Sequence, residues 1–261
     1  MFKMKSVLGT VAAATVILAL SACGATDAEG GGEGDIAQPL KMGVINNFPP
    51  FEYVEDGELT GFDIELVNAI LDAEGLEGEW VVMGFDGLIP ALQSGQIDLA
   101  VSDISVNEER KAVVDFSDPY YNDGQAIAVK AGSDIQSLED LAGKTIVSTQ
   151  GTSGNVAAQK VADEYGATVQ TLASSDALYL AVTSGQADAL VIDTSAIQYR
   201  IATDGESPSI EMLGDPIESA PTAIAIPKGN DALVERLNAG LKKIKDDGTY
   251  DELRAKYLPE S

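Results

Sequence analysis

The sequence predicts an α/β protein built from two successive parallel sheets. Three observations carry this. Apolar strand-like and helix-like segments alternate in two separate runs, as parallel α/β sheets require. A helix-stop, turn and strand pattern occurs twice, as SGQIDLAVSD at 94–103 and SGQADALVID at 184–193. The chain has 261 residues, 45% of them hydrophobic and 6% aromatic, enough for one or two domains with a substantial core.

The elements follow in order. KMGVIN (41–46) reads as a strand. Gly61-Phe62-Asp63 leads into a helix whose Ile64, Leu66, Val67, Ile70 and Leu71 share one face at helical spacing. GEWVVMGF (78–85) contains a strand, and Asp86 to Gln93 is a helix closed by Gly95, a residue suited to a left-handed cap. Asp98 to Val101 is a buried strand ending at Ser102-Asp103. The second run opens with the strand KTIVST (144–149), the turn QGTSGN and a helix from Val156 to Tyr165. A strand near Val169, a helix from Ala177 to Thr183, the cap Gly185 and a strand from Asp188 to Ile192 complete it at Asp193.

In open α/β sheets, ligands bind beyond the carboxyl ends of strands. Were the two sheets to face one another, the carboxylates of Asp103 and Asp193 would enter one cleft from opposite sides. A shared Ser-Gly turn between two unrelated units is the plainer reading of the same pattern.

Composition excludes several function classes. Asp and Glu number 42 against 16 Lys and Arg, for a formal net charge of −26. Such a chain is unsuited to nucleic acid, whose phosphates call for Lys and Arg; the simplest meaning of the acidity is solubility. There is no histidine and a single cysteine, so neither a Ser–His or Cys–His catalytic set nor a zinc site of His and Cys is possible within the chain.

The cysteine belongs to the N-terminus. Lys3 and Lys5 form a basic start, VLGTVAAATVILAL an apolar stretch, and Ser21-Ala22-Cys23 a small-residue cleavage site. The apolar stretch is shorter than the roughly 20 residues of a membrane span. Leu20-Ser21-Ala22-Cys23 resembles the lipobox of bacterial lipoproteins, which implies lipidation of Cys23 after removal of residues 1–22. A plain secretory signal cut near Ala22, or an uncleaved anchor, is the alternative. Residues 23–37 are Gly-rich and acidic, the composition of a flexible tether. The expected location is the extracytoplasmic face of the cell membrane.

Longer motifs carry a family resemblance. GVINNFPPFEYVEDGELTGFDIELVNAI, GFDGLIPALQSGQIDLAVSDISVNEERKAVVDFSDPYY, SLEDLAGKTIVSTQGTSG, SGQADALVID and LKKIKDDGTYDELRAKYL resemble the family-3 extracellular solute-binding proteins, the polar amino-acid-binding components of ABC importers, over residues 40–258. The resemblance implies a two-lobed periplasmic-binding-protein-like fold of type II, with a ligand cleft between lobes joined by a two-strand hinge. Lobe 1 would comprise 38–125 and 218–261, and lobe 2 126–217, with Thr222 to Ile226 the returning strand and Asp231 to Tyr257 the packing helices. It implies a monomer that binds an L-amino acid and a membrane permease, with no cofactor and no metal.

Family roles fall on matching positions. Arg110 in SVNEER stands where the family holds the ligand α-carboxylate, a role suited to a guanidinium fork; without the motif, a surface ion pair with Glu108 or Glu109 would be the better reading. Ser102, Ser105 and the backbone of Asp103 adjoin it. Thr152 and Ser153 open a helix, where free N–H groups favour an anion and where both could simply cap. Asp193 matches the acceptor for the α-ammonium, and Phe48 and Phe85 the aromatic pair that sandwiches the ligand, though either could be plain core. Asp63 and Asp188 read as caps and scaffold. Two departures bear on the substrate. Ile45 stands where members that take lysine, arginine or ornithine have a carboxylate. Asp103 stands where the family usually has serine or glycine, and could read a cationic or amide side chain or bond Asn46 or Asn47. Together they favour an amide-bearing or other polar amino acid over a basic one. A sensory or docking module would need the same clamp. A dehydratase-like enzyme, with Asp103 and Asp193 as an acid–base pair, is the catalytic alternative.

Overall fold

The structure is a computed structural model that describes residues 36–258. The leader, Cys23 and the tether as far as residue 35 lie outside the described residues.

The first run of elements is β1 (Leu40–Val44), β2 (Asn47–Phe48), β3 (Glu52–Glu55), β4 (Glu58–Thr60), α1 (Phe62–Glu74), β5 (Gly78–Val82), α2 (Phe85–Gln93), β6 (Leu99–Ala100), α3 (Glu108–Lys111) and β7 (Val114–Phe116). A long strand, β8 (Tyr121–Lys130), leaves it. The second run is β9 (Thr145–Thr149), α4 (Ser153–Tyr165), β10 (Thr168–Leu172), α5 (Ser175–Thr183), β11 (Ala189–Asp193), α6 (Thr194–Asp204) and β12 (Ile210–Met212). The chain then returns through β13 (Glu218–Thr222) and β14 (Ala225–Pro227) and ends in α7 (Asp231–Asp246) and α8 (Thr249–Tyr257).

Two lobes form, each around one sheet. The first sheet has the order β5-β1-β6-β14-β7, and the second β10-β9-β11-β8-β12 with β13 also paired to β8. The expectation of two purely parallel sheets is corrected here. Strands β5, β1 and β6 are parallel, as are β10, β9 and β11, but β14 runs antiparallel to β6 and β7, and β8 antiparallel to β11, β12 and β13. The reversed strand in each sheet is the one on which the chain arrives from the other lobe. A crossing strand enters with the direction it had on leaving, so local alternation of helix and strand carries no trace of the reversal.

The link between lobes is an antiparallel ribbon. Tyr121–Gln125 of β8 pair residue for residue with Thr222–Glu218 of β13. The returning strand expected over 222–226 is therefore two strands, because Ala223 and Ile224 carry the chain from the ribbon into the first sheet. Two helices also begin earlier than their apolar faces suggest. The side chain of Thr152 accepts from Asn155 N at 3.1 Å, and that of Ser174 from Ala177 N at 3.3 Å, so capping starts α4 at Ser153 and α5 at Ser175.

Apolar burial holds these parts in place. Leu66, Val67 and Ile70 of α1 are fully buried in one core with Leu233, Leu237, Leu241 and Ile244 of α7, so the C-terminal helices close the first lobe. Ile127, Val129, Ile146, Ala158 and Val191 center the second. The first Asp of the repeated pattern has the same job in both lobes. Asp98 Oδ2 accepts from Lys41 N and Asp188 Oδ2 from Thr145 N, each at 2.8 Å, tying the entry of β6 to β1 and of β11 to β9.

The start of α1 depends on one glycine. Gly61 has φ 124, and a Cβ there would lie 2.2 Å from the Phe51 carbonyl oxygen. That approach lets Phe62 N and Asp63 N donate to Pro50 O and Phe51 O at 3.0 and 2.9 Å. Gly61→Ala combines a strained φ with a backbone clash, and is expected to cost at least about 2 kcal/mol of stability. Urea denaturation measures it, and a loss within error of zero would refute the account.

Candidate functional site

A cleft lies between the lobes, and every ligand-binding residue expected from the sequence lines it. Phe48 ends β2 and Phe85 opens α2. Ser102, Asp103 and Ser105 lie on the loop after β6, and Arg110 on α3. Thr152 caps α4, Ser153 is its first residue, and Asp193 ends β11. The two lobes touch across this cleft: Arg110 Nη2 donates to Gly151 O at 3.2 Å, and Ser175 Oγ to Asn47 O at 2.7 Å.

Arg110 is buried although its helix is short and charged. Asn107 caps that helix, accepting from Arg110 N at 2.8 Å, which turns the side chain inward. Its Nη1 donates to Ser105 O at 2.7 Å, and its guanidinium lies 5.4 Å from the Phe85 ring centroid, a cation–π arrangement. The surface ion pair on this helix belongs to Lys111 and Glu108 instead. Phe48 stacks on Phe51 with centroids 5.8 Å apart, so it is at once core and cleft wall. Ser102 Oγ accepts from Ile45 N at 3.0 Å and ties the end of β1 to the loop.

Asp103 takes an unusual backbone position, φ 42, rare for a residue with a side chain. Asp63 Oδ2 accepts its N–H at 2.7 Å, and its own Oδ1 accepts from Thr222 Oγ1 at 2.7 Å. It makes no hydrogen bond with Asn46 or Asn47 among the described residues. Instead it meets Asp193 and a residue the sequence reading passed over, Asp123 of β8. One carboxylate oxygen of each lies within 4.8 Å of the others, close enough for all three to surround one positive charge. Gln125 was also passed over; its Nε2 donates to Asp193 Oδ1. The available signal was a polar pair in a strand that otherwise reads as apolar, Asp123 and Gln125 before AIAV.

Burial dominates the electrostatics here. It raises the Asp193 carboxyl to about 8, with the charge of Asp123 adding and the Gln125 hydrogen bond and Arg110 opposing. Asp103 is pushed well above the usual carboxylate range by burial and then by Asp193, Asp123 and Asp63. Behind it lies Glu52 on β3, fully buried and raised by burial, Asp63 and Asp103. Asp63 rises to about 7 through burial, against the N–H of Asp103.

Two facing α/β lobes with a polar cleft between them define a solute-binding protein of the type II class. The model for "Bacterial extracellular solute-binding proteins, family 3" matches residues 40–260, and the chain belongs to that family. It is 33% identical over 255 residues to "Arginine-binding extracellular protein ArtP" of Bacillus subtilis, covering 98% of each chain. It is 38% identical over 210 residues to "ABC transporter glutamine-binding protein GlnH" of the same organism, covering 78% of this chain and 74% of the relative. Among solved structures, "An ancestral arginine-binding protein bound to arginine" is 40% identical with a TM-score of 0.78, covering 84% of this chain and 97% of that one.

The buried carboxyls yield a pH prediction. A carboxyl raised on folding binds more protons in the native than in the unfolded state above its ordinary value, 4.5 for Glu52, so stability falls as pH rises through that window. Glu52→Gln removes this contribution while keeping shape. Its stability relative to wild type is expected to improve by at least about 1 kcal/mol between about pH 5 and about pH 8. Urea denaturation at both pH values is the check; a pH-independent difference would contradict the buried-acid assignment.

Proposed function

We propose that this chain is an extracytoplasmic binding lipoprotein that captures a polar L-amino acid in the cleft and delivers it to an ABC permease. The observation that carries the reading is one buried guanidinium, Arg110, and two carboxylates, Asp103 and Asp193, lining a cleft between two lobes. Arg110 takes the α-carboxylate through its fork, with Ser105 and the N-terminal N–H groups of α4 at Thr152 and Ser153. Asp193 accepts the α-ammonium, and Phe48 and Phe85 flank the ligand. These tasks are binding tasks and need no catalytic step.

The substrate is an amide-bearing or other polar amino acid in preference to a basic one. Ile45 lines the cleft without charge, and Asp103 is turned toward Thr222 and Asp193. The names of the relatives, arginine- and glutamine-binding, support an amino acid as cargo. Lobe 1 consists of 38–125 and 218–261 and lobe 2 of 126–217. The ribbon of β8 and β13 is the hinge, and the permease reads the closed shape of a monomer. Cys23 carries lipid and holds the protein at the outer face of the cell membrane.

A thermal-shift screen of the twenty common L-amino acids tests the reading. Stabilisation by an amide-bearing or neutral polar member is expected; response to lysine and arginine alone would reverse the preference, and no response would refute the function. Arg110→Ala is expected to weaken the best binder by about 2–3 kcal/mol, roughly 30- to 150-fold, and Arg110→Lys also to bind poorly. Near-wild-type calorimetry for Arg110→Ala would remove it from the site. Mass spectrometry of the native N-terminal peptide is expected to find Cys23 lipidated; an unmodified Cys23 would defeat the anchor.

A further inference from the structure

Asp103 and Asp193 line one end of the cleft and Asp123 lies buried behind them, more carboxylate than one ammonium requires. Asp103 and Asp123 are 5% and 7% exposed, and the second oxygen of each, Asp103 Oδ2 and Asp123 Oδ2, has no hydrogen-bond partner. Tyr120, 2% exposed, sets its hydroxyl beside Asp63 and near Asp103. Three anions so close cannot all stay ionised in a dry site without a compensating positive charge.

Among the described residues the surroundings supply only part of that charge, from Arg110. Facing the cup are Glu52 from β3, Asp63 from α1, Tyr120 before β8, Tyr121 on β8 and Tyr179 from α5. Arg110 on α3 faces it too, but its guanidinium donates to Ser105 O and Gly151 O. Arg254 of α8 lies against the outer ring of Tyr121, 5.9 Å from its centroid. Thr222 and Gln125 contribute neutral donors, one each to Asp103 and Asp193.

We infer that Asp103, Asp123 and Asp193 form a proton-exchange cup, in which the ligand-free protein holds a proton among the three carboxylates and a ligand's primary ammonium displaces it. This rests on the amino-acid reading above and adds to it two specificity-determining residues, Asp103 and Asp123. In the exchange the O–H bond of the shared carboxyl breaks and its proton passes to the solvent. The N–H groups of the ammonium then donate to Asp103 and Asp193, the two members that line the cleft, with the charge of Asp123 behind them. The raised carboxyls of Asp193 and Asp103 agree with this order of events. The cup favours a full primary ammonium, since a trimethylated nitrogen has no N–H to give and an acylated one no charge.

Two measurements decide it. In the ligand-free full chain, carboxyl-carbon NMR is expected to show a cup carboxyl titrating above pH 6; absence of any such carboxyl would overturn the stored proton whether or not an amino acid binds. Calorimetry is then run at pH 7 in phosphate and in Tris, using whichever common L-amino acid stabilises the protein most. The apparent enthalpies are expected to differ by the buffers' ionisation enthalpies times about one proton released, and affinity to weaken up to about tenfold per pH unit as pH falls through the cup's titration. In Asp103→Asn one anion becomes neutral, and both effects are expected to shrink toward zero. Binding with equal enthalpies in both buffers would overturn the exchange and leave the amino-acid reading standing. Saturable binding of calcium chloride to the ligand-free protein, lost in Asp103→Asn, would overturn the proton as the cup's occupant.

Discussion

The hydrogen bond from Asp103 N to the buried carboxylate of Asp63 is the constraint on which the first lobe's half of the site depends. It is 2.7 Å long and joins the start of α1 to the loop after β6. That loop must turn sharply for Ser105 and Arg110 to face the cleft, and it does so at a non-glycine residue with φ 42. Such a conformation persists only where surrounding contacts over-determine it. Here Asp63 holds the N–H, Thr222 holds the side chain, and Ile104 and Val106 pair with the returning strand through Ala223 N and Pro221 O. Asp63 in turn is placed by Gly61, whose bare backbone lets α1 begin against the carbonyls of Pro50 and Phe51.

The same hydrogen bonds bind the site to the link between lobes. Thr222 is the last residue of β13, where it pairs with Tyr121 of β8. Asp123 lies two residues further along β8, and Gln125 two beyond that, on the same face of the strand. Thr222 and Gln125 reach Asp103 and Asp193, while Asp123 completes the carboxylate cluster. The acidic cluster is therefore assembled from the loop of one lobe, the strand end of the other and the ribbon that joins them. A change of charge in it is felt where the two lobes connect.

Much of this was legible in the sequence because its signals are local. Helix faces at 64–71, the glycines after both repeats, and the strands before Asp103 and Asp193 are set by residues a few positions apart. The candidate ligand-binding residues were drawn from long motifs, and all nine line one cleft. What was not legible depends on non-local pairing. The direction of β8 and β14 follows from which lobe the chain last left. The burial of Glu52 follows from a hairpin folding under α1, and nothing near Glu52 in the sequence marks a carboxylate that will lose all contact with water. The burial of Asp123 follows from its pairing with Ala220 of β13, nearly a hundred residues away.

The repeated pattern shows how one local solution serves two ends. Its first aspartate, Asp98 or Asp188, accepts the entry N–H of the neighbouring strand, a structural task that is the same in both lobes. Its last residue, Asp103 or Asp193, lies at the carboxyl end of the strand, where side chains face the cleft. Had the lobes faced apart, these two carboxylates would each be solvated and unremarkable. Because the ribbon turns the lobes toward one another, the two strand ends converge with Asp123, one oxygen of each within 4.8 Å of the others. The acidity of the site thus comes from topology as much as from composition: the closeness of the three aspartates exists only in the folded, two-lobed chain.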